Sequence, residues 1–271
     1  MNIFFYIIIF IIGIMFGSFY TLAVYRIPKG EDITHKHSYC PNCNHKLGFL
    51  DLIPLFSYIF LGAKCRYCKN KIRPRYFILE FLSGICFVII AYCMNLNIYN
   101  LTINLIAEFS FLVLYLTFLF LIAGIDKENI TINKSVTVYG IIISIIYIAY
   151  LCIVEKANIY RYVIYLIFYI AFLFIDTINL KKYAKSKYIN WIMIVIIIMA
   201  IFTGEFATIS TIILAIVSIL IYILINKIKE NKNKAIKKDK KIINNISVGF
   251  YLVASNVITL LFVLLYNKLI G

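Results

Sequence analysis

Two cysteine pairs of identical spacing, Cys40/Cys43 and Cys65/Cys68, are the residues of this chain best arranged for chemistry. Each C-x-x-C is followed by a short basic tail, Asn44-His45-Lys46 in one case and Lys69-Asn70-Lys71 in the other. A two-residue gap lets both sulfurs of a pair point at one tetrahedral ion, so two such knuckles facing each other make a four-thiolate zinc site. His45 follows Cys43 closely enough to substitute as a ligand, but with four cysteines present it reads as a neighbour of the site. Cys86, Cys93 and Cys152 lie in apolar runs and read as buried spectators. The second set of candidates is acidic. Among only 12 Asp and Glu, Asp126 stands in LIAGIDKENITIN, behind Ala123 and Gly124, and Asp176 stands in LFIDTINLKK. Both close an apolar run, where a carboxylate is costly unless something uses it. Two carboxylates at one depth can share a proton and activate a water for peptide hydrolysis. The plainer alternative pairs each with a nearby lysine, Lys127 or Lys181, at a membrane boundary. Glu80 and Glu108 read as partners of a buried base or hydroxyl.

The elements that must position these residues are membrane spans. The chain is 63% hydrophobic and only 14% charged over 271 residues, and its mean hydropathy is +0.93. A soluble globule has an apolar share nearer half. Runs of spanning character cover 2–24, 77–96, 101–125, 135–154, 162–180, 191–203, 206–226 and 246–266, so the expected fold is an all-α membrane protein of about eight transmembrane helices. The sixth run is short, and Gly204-Glu205 marks a bend after it. No small-residue cleavage site follows the first run, which reads as a retained span. Gly13, Gly17 and Ser18 in that run would let another helix approach closely.

Threading the chain alternately places 24 of the 27 Lys and Arg on one side, leaving Lys156, Arg161 and Lys268 on the other. By the positive-inside rule the N-terminus is outside and the cysteine loop lies in the cytoplasm, a reducing compartment that favours metal over disulfides. That asymmetry accounts for the net charge of +15. The lysine-rich run 227–241 reads as a cytoplasmic linker attracted to anionic membrane lipid, and no nucleic-acid partner is expected.

These residues resemble a known family. GSFYTLAVYRIPKG, then CPNCNHKLGFLDLIPLFSYIFLGAKCRYCKNKIRPRYFILEFLSG, then the aspartate of IDKENITIN are similar in order and content to the type IV prepilin leader peptidases, which are bifunctional membrane aspartic endopeptidases and N-methyltransferases. Gly17, Ser18, Phe19, Tyr25, Arg26 and Pro28 match the opening motif. The cysteine pairs, Asp51, Pro54, Ser57, Arg75, Tyr76 and Glu80 match the cytoplasmic domain. The resemblance implies three parts: a first transmembrane helix (1–25), a cytoplasmic zinc-binding domain (26–76) and a seven-helix aspartic peptidase domain (77–271). It implies Asp126 as first catalytic aspartate, structural zinc on Cys40, Cys43, Cys65 and Cys68, S-adenosylmethionine as methyl donor, and prepilin or pseudopilin N-termini as substrates at the bacterial inner membrane. The family's second aspartate motif, Gly-x-Gly-Asp-x-Lys, is absent. KYAKSKYINWIMI stands there, with Asn190 near the expected place, and Asn133 replaces a usual proline. Either Asp176 supplies the second carboxylate, or the chain is a non-cleaving member that keeps a binding or assembly role.

Overall fold

In a computed structural model the protein is described over residues 2–35, 37–179, 186–232 and 246–270. The side chains of residues 2, 173, 175–179, 186–187 and 229–232 lie outside that description, so Asp176 and most of the lysine run 227–241 do too. The helices are α1 (Asn2–Arg26), α2 (Phe56–Phe60), α3 (Arg75–Cys93), α4 (Ile103–Asn129), α5 (Lys134–Val154), α6 (Ile159–Asn179), α7 (Ser186–Thr203), α8 (Glu205–Lys232) and α9 (Val248–Ile270). Each of the eight apolar runs is thus a helix. Among the described residues six of them, α1, α3, α4, α5, α8 and α9, are long and apolar enough to cross a membrane, and shorter apolar stretches occupy Ile159–Phe172 and Tyr188–Thr203. The only β pairing among the described residues is two isolated bridges in the cysteine module. The chain is an all-α, multi-pass membrane protein with a four-cysteine cluster between its first two long helices.

The chain divides into two compact units. One comprises Met1–Val113 with Leu264–Gly271, the other Leu114–Val263. In the first, α1 and α3 pack together along a seam of small residues. A methyl group added at Gly13 would lie 2.7 Å from the Gly84 Cα, and one at Gly17 would lie 2.5 Å from the Glu80 Cα. The Ser83 hydroxyl donates to the Gly13 carbonyl across the seam at 2.6 Å. Close backbone approach of this kind is how helices associate in lipid, where neighbouring tails are as apolar as leucine. Arg26 ends α1 buried, donating to the carbonyls of Asp32 (3.0 Å) and His37 (2.9 Å), so it gathers the chain that leads to the first cysteine pair.

The second unit is held by rings and hydroxyls. Tyr147, Phe202 and Tyr115 from α5, α7 and α4 stack at 4.5 and 4.4 Å, nearly parallel. The Tyr115 hydroxyl donates to Asn256 Oδ1 (2.6 Å), whose amide donates to Thr211 on α8 (3.2 Å), and Thr211 bonds Thr259 (2.7 Å). Asn133, the residue in the usual proline's place, caps α5 by accepting from the Ser135 N–H at 2.9 Å. Gly204, at φ +83°, is the single residue between α7 and α8, so the bend expected there is a one-residue turn.

Candidate active site and metal centre

The four predicted ligands come together. Cys40, Cys43, Cys65 and Cys68 lie with all four Sγ atoms within 4.8 Å of one another. The knuckles repeat the same local backbone. The Cys40 N–H donates to His45 O and the Asn44 N–H to Cys40 O, while Cys65 N–H donates to Asn70 O and Lys69 N–H to Cys65 O. Asn44 (φ +55°) and Lys69 (φ +59°) take the left-handed conformation that closes each turn. A tetrahedral ion about 2.3 Å from each sulfur needs sulfurs about 3.8 Å apart; Cys40 and Cys68 stand at 3.9 Å. The residues therefore fit a closed, structural metal site.

Its electrostatics agree. The Cys65 thiol is lowered to about 7, first by the Cys68 N–H, against the cost of burial and with help from the Tyr67 N–H. The Asn70 N–H acts to lower Cys68, but burial and the thiols of Cys65, Cys43 and Cys40 outweigh it and push Cys68 up to about 11. Four thiolates at this spacing would repel one another, so a cation among them is what lets them ionise together. His45 stacks on Tyr67, ring centroids 3.5 Å apart, and braces one knuckle against the other. Asp51, its side chain 4% exposed, accepts from Arg66 Nε (2.6 Å), the Gly48 N–H (3.1 Å) and the Tyr67 hydroxyl (3.4 Å), fixing the second knuckle's tip.

Asp126 is fully buried, 0% exposed, near the C-terminal end of α4. Its Oδ1 accepts from the Tyr188 hydroxyl (2.8 Å) and its Oδ2 from the Phe250 N–H (3.0 Å). Tyr188 in turn accepts from the Gly249 N–H at 3.3 Å. The carboxylate thus sits on the N-terminus of α9, where unpaired amide donors and the positive end of the helix dipole favour an anion. Gly249 makes the approach possible, since a methyl group there would lie 3.1 Å from Oδ2. The Lys127 ammonium lies over the Phe250 ring at 4.2 Å. Asn190 is half-buried in α7, two residues beyond Tyr188 and so on a different face of the helix.

Tyr188 and the start of α9 are the parts of this site that sequence reasoning missed. A tyrosine in an apolar helix carries no spacing signal, and ISVGFYLVASNVI shows only that a helix begins, not which carboxylate it receives.

Residues 11–94 match the bacterial peptidase A24 N-terminal domain. Beyond that match the similarity extends to proteins named prepilin leader peptidase/N-methyltransferase. The chain is 34% identical over 152 residues to the Vibrio cholerae prepilin leader peptidase/N-methyltransferase, covering 53% of this chain and 56% of that protein. It is 37% identical over 83 residues to the protein of that name from Myxococcus xanthus (31% and 25% covered). With the one from Bacillus subtilis it shares 38% over 80 residues (30% and 32%). The chain thus spans about half the length, or less, of these relatives. No solved structure matches. The matched segment runs from within α1 through the cysteine module and α3, and ends before Asp126.

Proposed function

We propose that the chain removes the short basic leader from type IV prepilins or pseudopilins at the cytoplasmic face of the bacterial inner membrane. It then methylates the new N-terminal residue from S-adenosylmethionine. The observation that carries this reading is Asp126: a carboxylate wholly buried in a membrane helix, held by a hydroxyl and an amide, in a chain whose N-terminal part matches a peptidase family. In this reading Asp126 activates the water and Asp176 is its partner. Residues 26–76 form a cytoplasmic zinc-binding platform after a first span (1–25), and 77–271 form the peptidase part. Zinc on Cys40, Cys43, Cys65 and Cys68 leaves no open coordination position, so it organises the platform without polarising a substrate.

A second reading rests on the closure of the Asp126 site. Both oxygens are taken by the chain's own donors and no surface is exposed, so cleavage requires the start of α9 to part from Asp126 and admit a water. A chain in which that opening never happens would bind prepilins without cutting them. Full-length protein in lipid vesicles, given prepilin-type N-terminal peptides, separates the two. Cleavage after the leader, lost on Asp176→Asn, supports the two-carboxylate peptidase. Intact peptides from a zinc-loaded wild type support the non-cleaving member.

A further inference from the structure

The stretch between the knuckles, LGFLDLIPLFSYIFLG, is more apolar than a metal-bound loop requires. One side of it is fastened to α3. Leu55 is buried, and the Tyr58 ring lies 5.4 Å from that of Phe77. The Leu55 N–H donates to the buried Glu80 carboxylate at 2.8 Å. Leu55 itself (φ +62°, ψ −51°) is the centre of a γ-turn closed by the Phe56 N–H on Pro54 O at 2.7 Å. Such a positive-φ turn is rare and strained, so it persists only where its surroundings impose it. Glu80 is the group that does so.

The other side faces outward. Phe56, Ile59 and Phe60 fall at i, i+3 and i+4 on α2 and are exposed. Phe49 and Leu50 join them, with Phe49 and Phe60 each 82% exposed. The position of α3 sets the level at which this surface sits. Its 19 residues make a helix about 28 Å long, against a hydrocarbon core of about 30 Å. A helix with no turn to spare must keep Phe77 and Glu80 at the membrane boundary, and the fastened segment lies there with them. Lys46, Lys64, Lys69, Lys71 and Arg73, which flank it in the chain, are exposed, while the one acid of residues 39–75, Asp51, is occupied by Arg66.

We propose that residues 49–60 are an interfacial membrane anchor. Phe49, Leu50, Phe56, Ile59 and Phe60 enter the headgroup–acyl boundary of an anionic bilayer, and the flanking lysines and Arg73 meet its headgroups. The cysteine module is thereby held against the lipid surface by its own loop as well as by α1 and α3. This holds whether or not the chain cleaves a substrate.

The test uses full-length, zinc-loaded protein in vesicles of phosphatidylcholine and phosphatidylglycerol. The sole tryptophan is removed by Trp191→Phe, and a new one is placed by Phe60→Trp or, separately, Phe49→Trp. Both side chains are largely exposed, so a larger ring can be accommodated at either, and metal content checks that each module is folded. The expected result is blue-shifted emission, loss of most of the fluorescence when lipid brominated near the headgroup is included, and little loss with aqueous acrylamide. Quenching by acrylamide but not by brominated lipid at both positions would overturn the proposal. So would protection that appears only on adding a prepilin-type peptide, which would assign the surface to peptide docking.

Discussion

Tyr188 is the residue on which the Asp126 site turns, because one hydroxyl serves both the carboxylate and the first turn of α9. Tyr188→Phe keeps the ring and removes both bonds. If Asp126 is the working carboxylate, kcat for leader cleavage should fall roughly tenfold to a hundredfold with little change in KM, the effect of a misplaced group; an unchanged kcat would remove Tyr188 from the account. In the cysteine module, metal analysis should find about one zinc per chain, as a four-thiolate site holds, and Cys40→Ser should lose it. Asp51 supplies a pH dependence. Burial acts against its charge, but the Arg66 guanidinium and the Gly48 N–H hold its carboxyl below the usual range. A lowered carboxylate contributes stability that is complete above its ordinary pKa of about 4 and lost as pH falls through the lower folded value. Asp51→Asn should therefore unfold more easily than wild type near neutrality, and the two should converge in acid. The cysteine site was legible in the sequence because identical spacing repeats in a single loop. The surroundings of Asp126 were not, because its partners come from helices 62 and 124 residues away.

At the scale of elements, the seam between α1 and α3 depends on glycine for want of any room beyond Cα. Gly17→Leu should cost at least about 1–3 kcal/mol, the usual price of overpacking, and would be read as lowered thermal stability in detergent. Unchanged stability would mean that the two helices do not meet as described. The small residues of this seam were readable in advance as an approach surface, since Gly13, Gly17 and Ser18 recur at helical spacing in an otherwise bulky run. Its partner face, Ser83 and Gly84, was not, because two small residues in an apolar helix do not say which helix they receive. The eight helices were legible from apolar run length alone. The sixth begins earlier than its apolar core, at Ser186, and it is this polar first turn that carries Tyr188 to Asp126.

For the whole molecule, the distribution of charge predicts orientation. If the eight apolar runs cross the membrane alternately, 24 of the 27 basic residues fall on one side, and the N-terminus should lie outside and the cysteine loop inside. Impermeant labelling of an N-terminal tag on intact cells, alongside a cysteine introduced beside Lys64, should modify only the tag; the reverse pattern would invert the topology. Cleavage is proposed to depend on the Asp126 carboxylate. The most direct test is leader cleavage by full-length protein in lipid, comparing wild type with Asp126→Ala while zinc content confirms that the cysteine module is intact. Wild type should release the leader and Asp126→Ala should not. Undiminished cleavage by the alanine variant would contradict that proposal and reduce Asp126 to the residue that seats the first turn of α9.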